Sequence, residues 1–375
     1  MEEISVEIKG TTVELEEGSL THDAVNPEEY ILQVKDLHTS FFTDSGEVKA
    51  VNGVSFNLAK GRILGIVGES GSGKSVTAYS IMQILADTGK ITEGSILYKG
   101  DDITKWNKNQ MKEFRGRKCS IIFQDPMTSL NPVFTVGNQL EEAILLHTTR
   151  SKEEARKRAV EMLTLVGVNE PEKRIKQYPY ELSGGMRQRV MIAMALASEP
   201  DILIADEPTT ALDVTIQAQI LELMQSLQKR LGMAIILVTH DLGVIASMCD
   251  EIIVLYGGRV CERGTADDIF YRPCHEYTKG LLRSIPYSGN MKQRLVPIAG
   301  TPINLLNMPK GCAFCSRCDA AMKICLTELP PEMPTPDGHL AACWMNVKKL
   351  VDEKQAENSA GSKAAQKGGT ADGRQ

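Results

Sequence analysis

Gly68-Glu69-Ser70-Gly71-Ser72-Gly73-Lys74-Ser75 is the stretch that most restricts what this chain can fold into. Its spacing, G-x-x-x-x-G-K-S, is that of a phosphate-binding loop, which requires a buried strand before it and a helix after it. Both are legible. Ile63-Leu64-Gly65-Ile66-Val67 reads as a buried parallel strand, and a helical run follows from Lys74 to Leu85. The glycines let the backbone curl so that successive N–H groups face phosphate oxygens, and the helix N-terminus adds a field that favours anions. Gly68, Ser70, Gly71, Ser72, Gly73 and Val76 then form the cradle. Lys74 is placed to reach the β- and γ-phosphates and Ser75 to ligate Mg²⁺, so ATP and Mg²⁺ are the expected ligands.

From Tyr30 to about Asp268 strand-like runs alternate with helix-like ones, the pattern of a mostly parallel sheet. Ile202 to Asp206 reads as a second buried strand and Ile235 to Val238 as a third. Between loop and second strand, Val136–Leu146 and Ser151–Val166 favour helix, with Ser151 and Glu154 as a capping box. Asp206 ends its strand, which aims the carboxylate at the metal; Glu207 comes next and would face the attacking water. Phosphoryl transfer needs a positioned water and charge neutralisation, and adjacent carboxylates with separate tasks supply both.

The formal charge of −6 offers no general attraction to nucleic acid, and aromatic content of 5% supports no base-stacking platform. No run of about eighteen apolar residues occurs, and Met1 to Glu29 is acidic and lacks the basic-then-apolar form of a signal sequence. A cytosolic location and reduced or metal-bound thiols are the expectation for the nine cysteines. Residues 1–29 read as a poorly ordered acidic segment, 30–270 as the nucleotide-binding domain, 271–345 as a Pro- and Cys-rich module, and 346–375 as a disordered tail. The module has little helical or strand period, so an inorganic cross-link is expected to hold it. By spacing alone its ligands would be Cys312, Cys315, Cys318 and one further cysteine. Zn²⁺, an iron–sulfur cluster and plain thiols all remain open at that level.

Further motifs bring a resemblance. Leu182-Ser183-Gly184-Gly185-Met186-Arg187-Gln188-Arg189 resembles the signature of ABC ATPases. Gln124 resembles the Q-loop glutamine, Thr210-Ala211-Leu212-Asp213 the D-loop, and His240 the switch histidine, in the family's order. Phe41 matches the A-loop aromatic that stacks on adenine, with Phe42 as a competitor. The fold implied is α/β: a P-loop ABC nucleotide-binding domain with a mostly parallel core, an antiparallel β portion and a helical subdomain over about 125–185. The resemblance implies that Glu207, His240, Gln124 and Lys74 carry catalysis and that Ser75, Gln124 and Asp206 hold Mg²⁺. It also implies that Ser183, Gly184, Gly185 and Asp213 close a site on a second cassette. Only one cassette is encoded, so a dimer with ATP between the subunits is expected. The rivals, a DNA-repair or a ribosomal ABC protein, call for long heptad arms or two cassettes, and neither is found.

The segment Gly311-Cys312-Ala313-Phe314-Cys315-Ser316-Arg317-Cys318, with Cys325 and Cys343, is similar to the C-terminal extension of oligopeptide/dipeptide importer ATPases. That resemblance implies Cys312, Cys318, Cys325 and Cys343 as ligands of a [4Fe-4S] cluster, with Zn²⁺ as the competitor and Cys315 spare. It further implies a sister ATPase in a heterodimer, two transmembrane permeases, an external or periplasmic substrate-binding protein, and a peripheral place on the cytoplasmic side of the membrane. No nucleic acid partner is expected. Peptides are the implied cargo, with nickel, glutathione or sugars as alternatives and a redox-regulated ATPase outside transport as a rival.

Overall fold

A computed structural model describes residues 3–8, 11–16, 29–125, 129–148, 151–210, 212–285 and 296–351. The chain divides into two compact units, Val25–Val260 with Asn304–Leu306, and Met1–Ala24 with Cys261–Ile303 and Asn307–Gln375. Strands β1 (Glu3–Ile8) and β2 (Thr11–Glu16) pair antiparallel with Val6 opposite Val13. The acidic composition hid this hairpin from the sequence reading. The alternation of Ile4, Val6 and Ile8 is nevertheless the period of a strand.

The larger unit begins with β3 (Tyr30–Thr43) and β4 (Gly46–Ala59), a long antiparallel pair. Next come β5 (Ile63–Val67) and helix α1 (Lys74–Met82). This helix stops three residues short of the expected Leu85, because Gln83 turns into the left-handed region at φ 49°. Strands β6 (Gly89–Tyr98) and β7 (Asp101–Asp102) complete an antiparallel sheet in the order β4-β3-β6-β7.

After α2 (Lys108–Arg117) and β8 (Cys119–Ile122) comes the helical portion: α3 (Val136–His147), α4 (Lys152–Leu165) and α5 (Gly184–Leu196). The Ser151–Glu154 capping box is present. Ser151 N–H donates to Glu154 Oε2 at 2.7 Å, and Glu154 N–H donates to Ser151 Oγ at 3.3 Å. Then follow β9 (Ile202–Asp206), α6 (Val214–Leu231), β10 (Ala234–Thr239), α7 (Leu242–Met248) and β11 (Glu251–Tyr256).

Strands β11, β5, β10, β9 and β8 lie side by side in that order, all parallel. Every residue of β5, β9 and β10 is buried, which is why they read as unbroken apolar runs. Each such Ile, Leu or Val contributes about 1.5–3 kcal/mol of burial. Register then fixes the site. Thr239 pairs with Val67 and Val238 with Asp206, while Ile122 pairs with Ala205. The residues that follow these strands therefore leave the sheet at one edge.

Strand β12 (Arg259–Gly264), whose residues from Cys261 on belong to the second unit, leads to α8 (Ala266–Tyr271), α9 (Glu276–Arg283) and α10 (Ile324–Thr327), then β13 (Met333–Pro334) and β14 (Leu340–Ala341). Glu262 and Arg263 of β12 pair antiparallel with Ala341 and Leu340, and β14 pairs with β13. Glu262 is fully buried, yet its Oε1 accepts from Cys274 N–H at 2.5 Å and Oε2 from His275 N–H at 3.0 Å. His339, equally buried, places Nε2 2.8 Å from Glu262 Oε1 and Nδ1 2.9 Å from Thr335 Oγ1. A small apolar core gathers Cys325, Met333, Trp344, Val347 and Val351. Ordered chain thus runs past the boundary at 345, because Val347 and Val351 are needed in that core. Residues 352–375, most of the expected tail, lie outside the described residues. Among the described residues no helix is long and apolar enough to cross a membrane.

Candidate nucleotide site and cysteine cavity

The phosphate-binding loop leaves β5 at the shared edge. Gly73 sits at φ 100°, and a Cβ there would stand 2.4 Å from the Ala50 carbonyl oxygen. Only glycine allows that approach. Lys74 is buried, and its Nζ donates to the carbonyls of Gly68 at 2.8 Å and Glu69 at 2.9 Å. Burial lowers its pKa against the opposing pull of Glu207, Asp206 and Glu69. Ser75 Oγ donates to Asp206 Oδ1 at 2.8 Å, which joins two of the three predicted Mg²⁺ ligands.

Asp206 is fully buried, and burial raises its carboxyl despite the hydrogen bond from Ser75. The Ser72 Oγ is buried with no hydrogen-bond partner. The Tyr79 phenol lies close: burial first, and Asp206 second, push its pKa up. An orphaned hydroxyl beside a buried lysine fits a phosphate ligand, since an orphaned group in a folded interior costs about 1–3 kcal/mol.

Glu207 follows Asp206 at φ 47° and donates its N–H to Val238 O at 2.8 Å. Its carboxylate collects the other predicted residues. Gln124 Nε2 donates to Oε2 at 2.9 Å, and His240 Nδ1 lies 3.2 Å from Oε1. Thr210, which the sequence reading quoted only as part of the D-loop, donates its hydroxyl to Oε2 at 3.0 Å. Lys74, Ser75, Gln124, Asp206, Glu207 and His240 are thus brought together.

The signature, D-loop and A-loop residues have neighbours of their own. Ser183 caps α5, accepting from Met186 N–H at 3.4 Å. A Cβ on Gly184 or Gly185 would meet Leu212 or Ile216, the D-loop side. Asp213 accepts from Ile216 N–H at 3.0 Å and caps α6. Phe41 is half-buried with its ring against Gly89, and Phe42 is exposed.

The parallel sheet, the loop and the paired carboxylates together define an ATP-binding cassette. The family described as ABC transporter matches residues 51–210, and that described as oligopeptide/dipeptide transporter, C-terminal region, matches 261–325. The dipeptide transport ATP-binding protein of Bacillus subtilis is 53% identical over 318 residues, 84% of this chain and 95% of that protein. The oligopeptide transport ATP-binding protein of Salmonella typhimurium is 50% identical over 328 residues, 88% of this chain and 97% of that protein. Among solved structures, a dimeric bacterial ABC transporter cassette is similar at a TM-score of 0.57 and 31% identity, covering 63% of this chain and 98% of that one. The chain belongs to the ABC transporter family, among its oligopeptide/dipeptide transport ATP-binding proteins.

In the second unit Cys312, Cys315, Cys318, Cys325 and Cys343 line one small cavity with His275, Glu276 and Phe314. Among the described residues none of the nine cysteines is in a disulfide. The motif is explained by packing. A Cβ on Gly311 would fall 2.2 Å from Cys325 O, and Cys312 N–H donates to that oxygen at 2.8 Å. Phe314 packs on Tyr277 with centroids 5.3 Å apart, and Arg317 lies over Phe314 while Nε donates to Ala299 O.

Burial pushes the Cys312 thiol up to about 12 and Cys318 up to about 11, countered by N–H groups of Phe314 and Ala320. Cys343 is raised by burial against Met345 and Asn346 N–H, and Cys325 Sγ accepts from Met322 N–H at 3.4 Å. Cys315 differs: the N–H groups opposing its burial are its own and that of Ser316. Among the described residues no three donors stand together at metal-binding geometry. Sulfur donors converging on one cavity, each met by backbone N–H groups, are nonetheless the chemistry a thiolate-held group needs, and all five cysteines of the cavity share it.

Proposed function

We propose that this chain is the ATP-hydrolysing subunit of a peptide importer, lying on the cytoplasmic face of the membrane and driving permease subunits. The observation that carries the reading is the meeting of Ser75 with Asp206, and of Glu207 with Gln124 and His240, beside a phosphate loop at one sheet edge. The peptide cargo rests on the dipeptide and oligopeptide relatives.

The loop backbone over Ser70–Gly73, Ser72 Oγ and the Val76 turn bind the phosphates, and Lys74 exchanges its carbonyl partners for the β- and γ-oxygens. Ser75, Asp206 and Gln124 would hold Mg²⁺, which would supply charge neutralisation at the phosphates. Glu207 orients the attacking water and accepts its proton, while His240 turns to the γ-phosphate. Phe41 flanks the adenine. Ser183, Gly184, Gly185 and Asp213 complete the site of a partner cassette, a sister ATPase in a heterodimer. An external substrate-binding protein delivers the cargo.

In the second unit Cys312, Cys318, Cys325 and Cys343 would hold a [4Fe-4S] cluster, whose role would be structural. Their convergence on one cavity supports this assignment. The test of the ATPase reading is Glu207→Gln in the full chain. ATP should still bind, hydrolysis should fall at least about 100-fold, and ATP should trap a stable cassette dimer. Normal turnover in this variant would reject the assignment.

A further inference from the structure

Glu207 is held from three directions, and the three donors differ in kind. Gln124 follows β8 and His240 follows β10, so both reach Glu207 from segments other than its own. Thr210 sits three residues along in the same turn. Its N–H donates to the Glu207 carbonyl at 3.1 Å, and its hydroxyl donates to Glu207 Oε2 at 3.0 Å. Glu207 N–H is fixed in turn on Val238 O, and its backbone is held at φ 47°, where a non-glycine residue is uncommon. Backbone and carboxylate are thereby clamped within one short turn.

We propose that Thr210 is a positioning residue for the general base. When Gln124 moves to the metal and His240 to the γ-phosphate, Thr210 alone travels with Glu207. It keeps Oε2 engaged and leaves Oε1, the oxygen that His240 vacates, to meet the water. A glutamate side chain has three rotatable bonds, and fixing one oxygen restricts the other to a narrow arc, which is how orientation lowers a barrier. The inference rests on the reading of Glu207 as the group that orients water.

The experiment measures kcat and KM for ATP in the full chain assembled with the subunits that co-purify with it. Removing a hydrogen bond to a charged group predicts, for Thr210→Val, a kcat lower by roughly 10- to 100-fold with KM within about twofold. Thr210→Ser, which keeps the hydroxyl, should return kcat to within about threefold of the parent. If Thr210→Val does not fold, Thr210→Ala takes its place in the same contrast. An unchanged kcat without the hydroxyl, or a serine variant as slow as the one lacking it, overturns the proposal. Glu207→Gln run alongside separates the two readings: if it turns over normally the base assignment falls, and if it stalls while Thr210→Val is fast only the role of Thr210 falls.

Discussion

Gly71 and Gly73 offer a matched pair for testing how the phosphate loop is built. Both have positive φ, 78° and 100°. A side chain at either position costs about 1–2 kcal/mol in backbone strain, equivalent to roughly 5- to 30-fold in ATP affinity if the loop must regain its shape to bind. Their surroundings differ. A Cβ at Gly71 meets nothing within 4 Å, whereas one at Gly73 would lie 2.4 Å from the Ala50 carbonyl. That neighbour is backbone and cannot rotate away, so the loop itself must shift. Gly71→Ala should therefore weaken ATP binding by no more than about 30-fold, and Gly73→Ala should weaken it further. Calorimetric titration of the folded variants with ATP and Mg²⁺ gives both constants. Equal affinities, or a weaker Gly71→Ala, would refute the close-approach argument.

Two further predictions concern the second unit. Cys325→Ser should abolish the visible absorbance of an iron-loaded protein while Cys315→Ser retains it; the reverse would reject the ligand set, and zinc in place of iron would appear by elemental analysis. His275 is buried and accepts a hydrogen bond at Nδ1 from Tyr277 N–H, and burial lowers its pKa from 6.5 to about 4. Below pH 6.5 the unfolded chain takes a proton that folded His275 refuses, so stability is full above that pH and declines toward pH 4. The loss is about 2 kcal/mol at pH 5. Urea unfolding followed by Trp344 fluorescence in a Trp106→Phe background should show this loss, and His275→Asn should remove most of it. A variant with an undiminished acid loss would exclude His275 as the cause.

How much was legible follows from how local each signal is. The phosphate loop, the buried strands β5, β9 and β10, and the Ser151–Glu154 cap are fixed by neighbours in sequence, and each stands where its residues placed it. The meeting of Gln124, Glu207 and His240 was inferable only through resemblance, because parallel pairing brings their strand ends together across 83 and 33 positions. The Glu262–His339 pair, 77 residues apart, left no local trace, and a buried carboxylate reads in sequence like any exposed one. Gly311 was quoted as part of a pattern. Its reason, the Cys325 carbonyl against its Cα, exists only in three dimensions. Thr210 was overlooked for a simpler reason: a hydroxyl in a turn is ordinary until its partner is known.

The most direct measurement is the hydrolysis rate per chain as the partner cassette, or the chain itself, is titrated from dilute solution. Because Ser183 and its glycines are proposed to close the partner's site, the rate should climb from near zero and saturate as pairs form. A full rate that is independent of concentration, from chains shown by sedimentation to be monomers, would contradict the account.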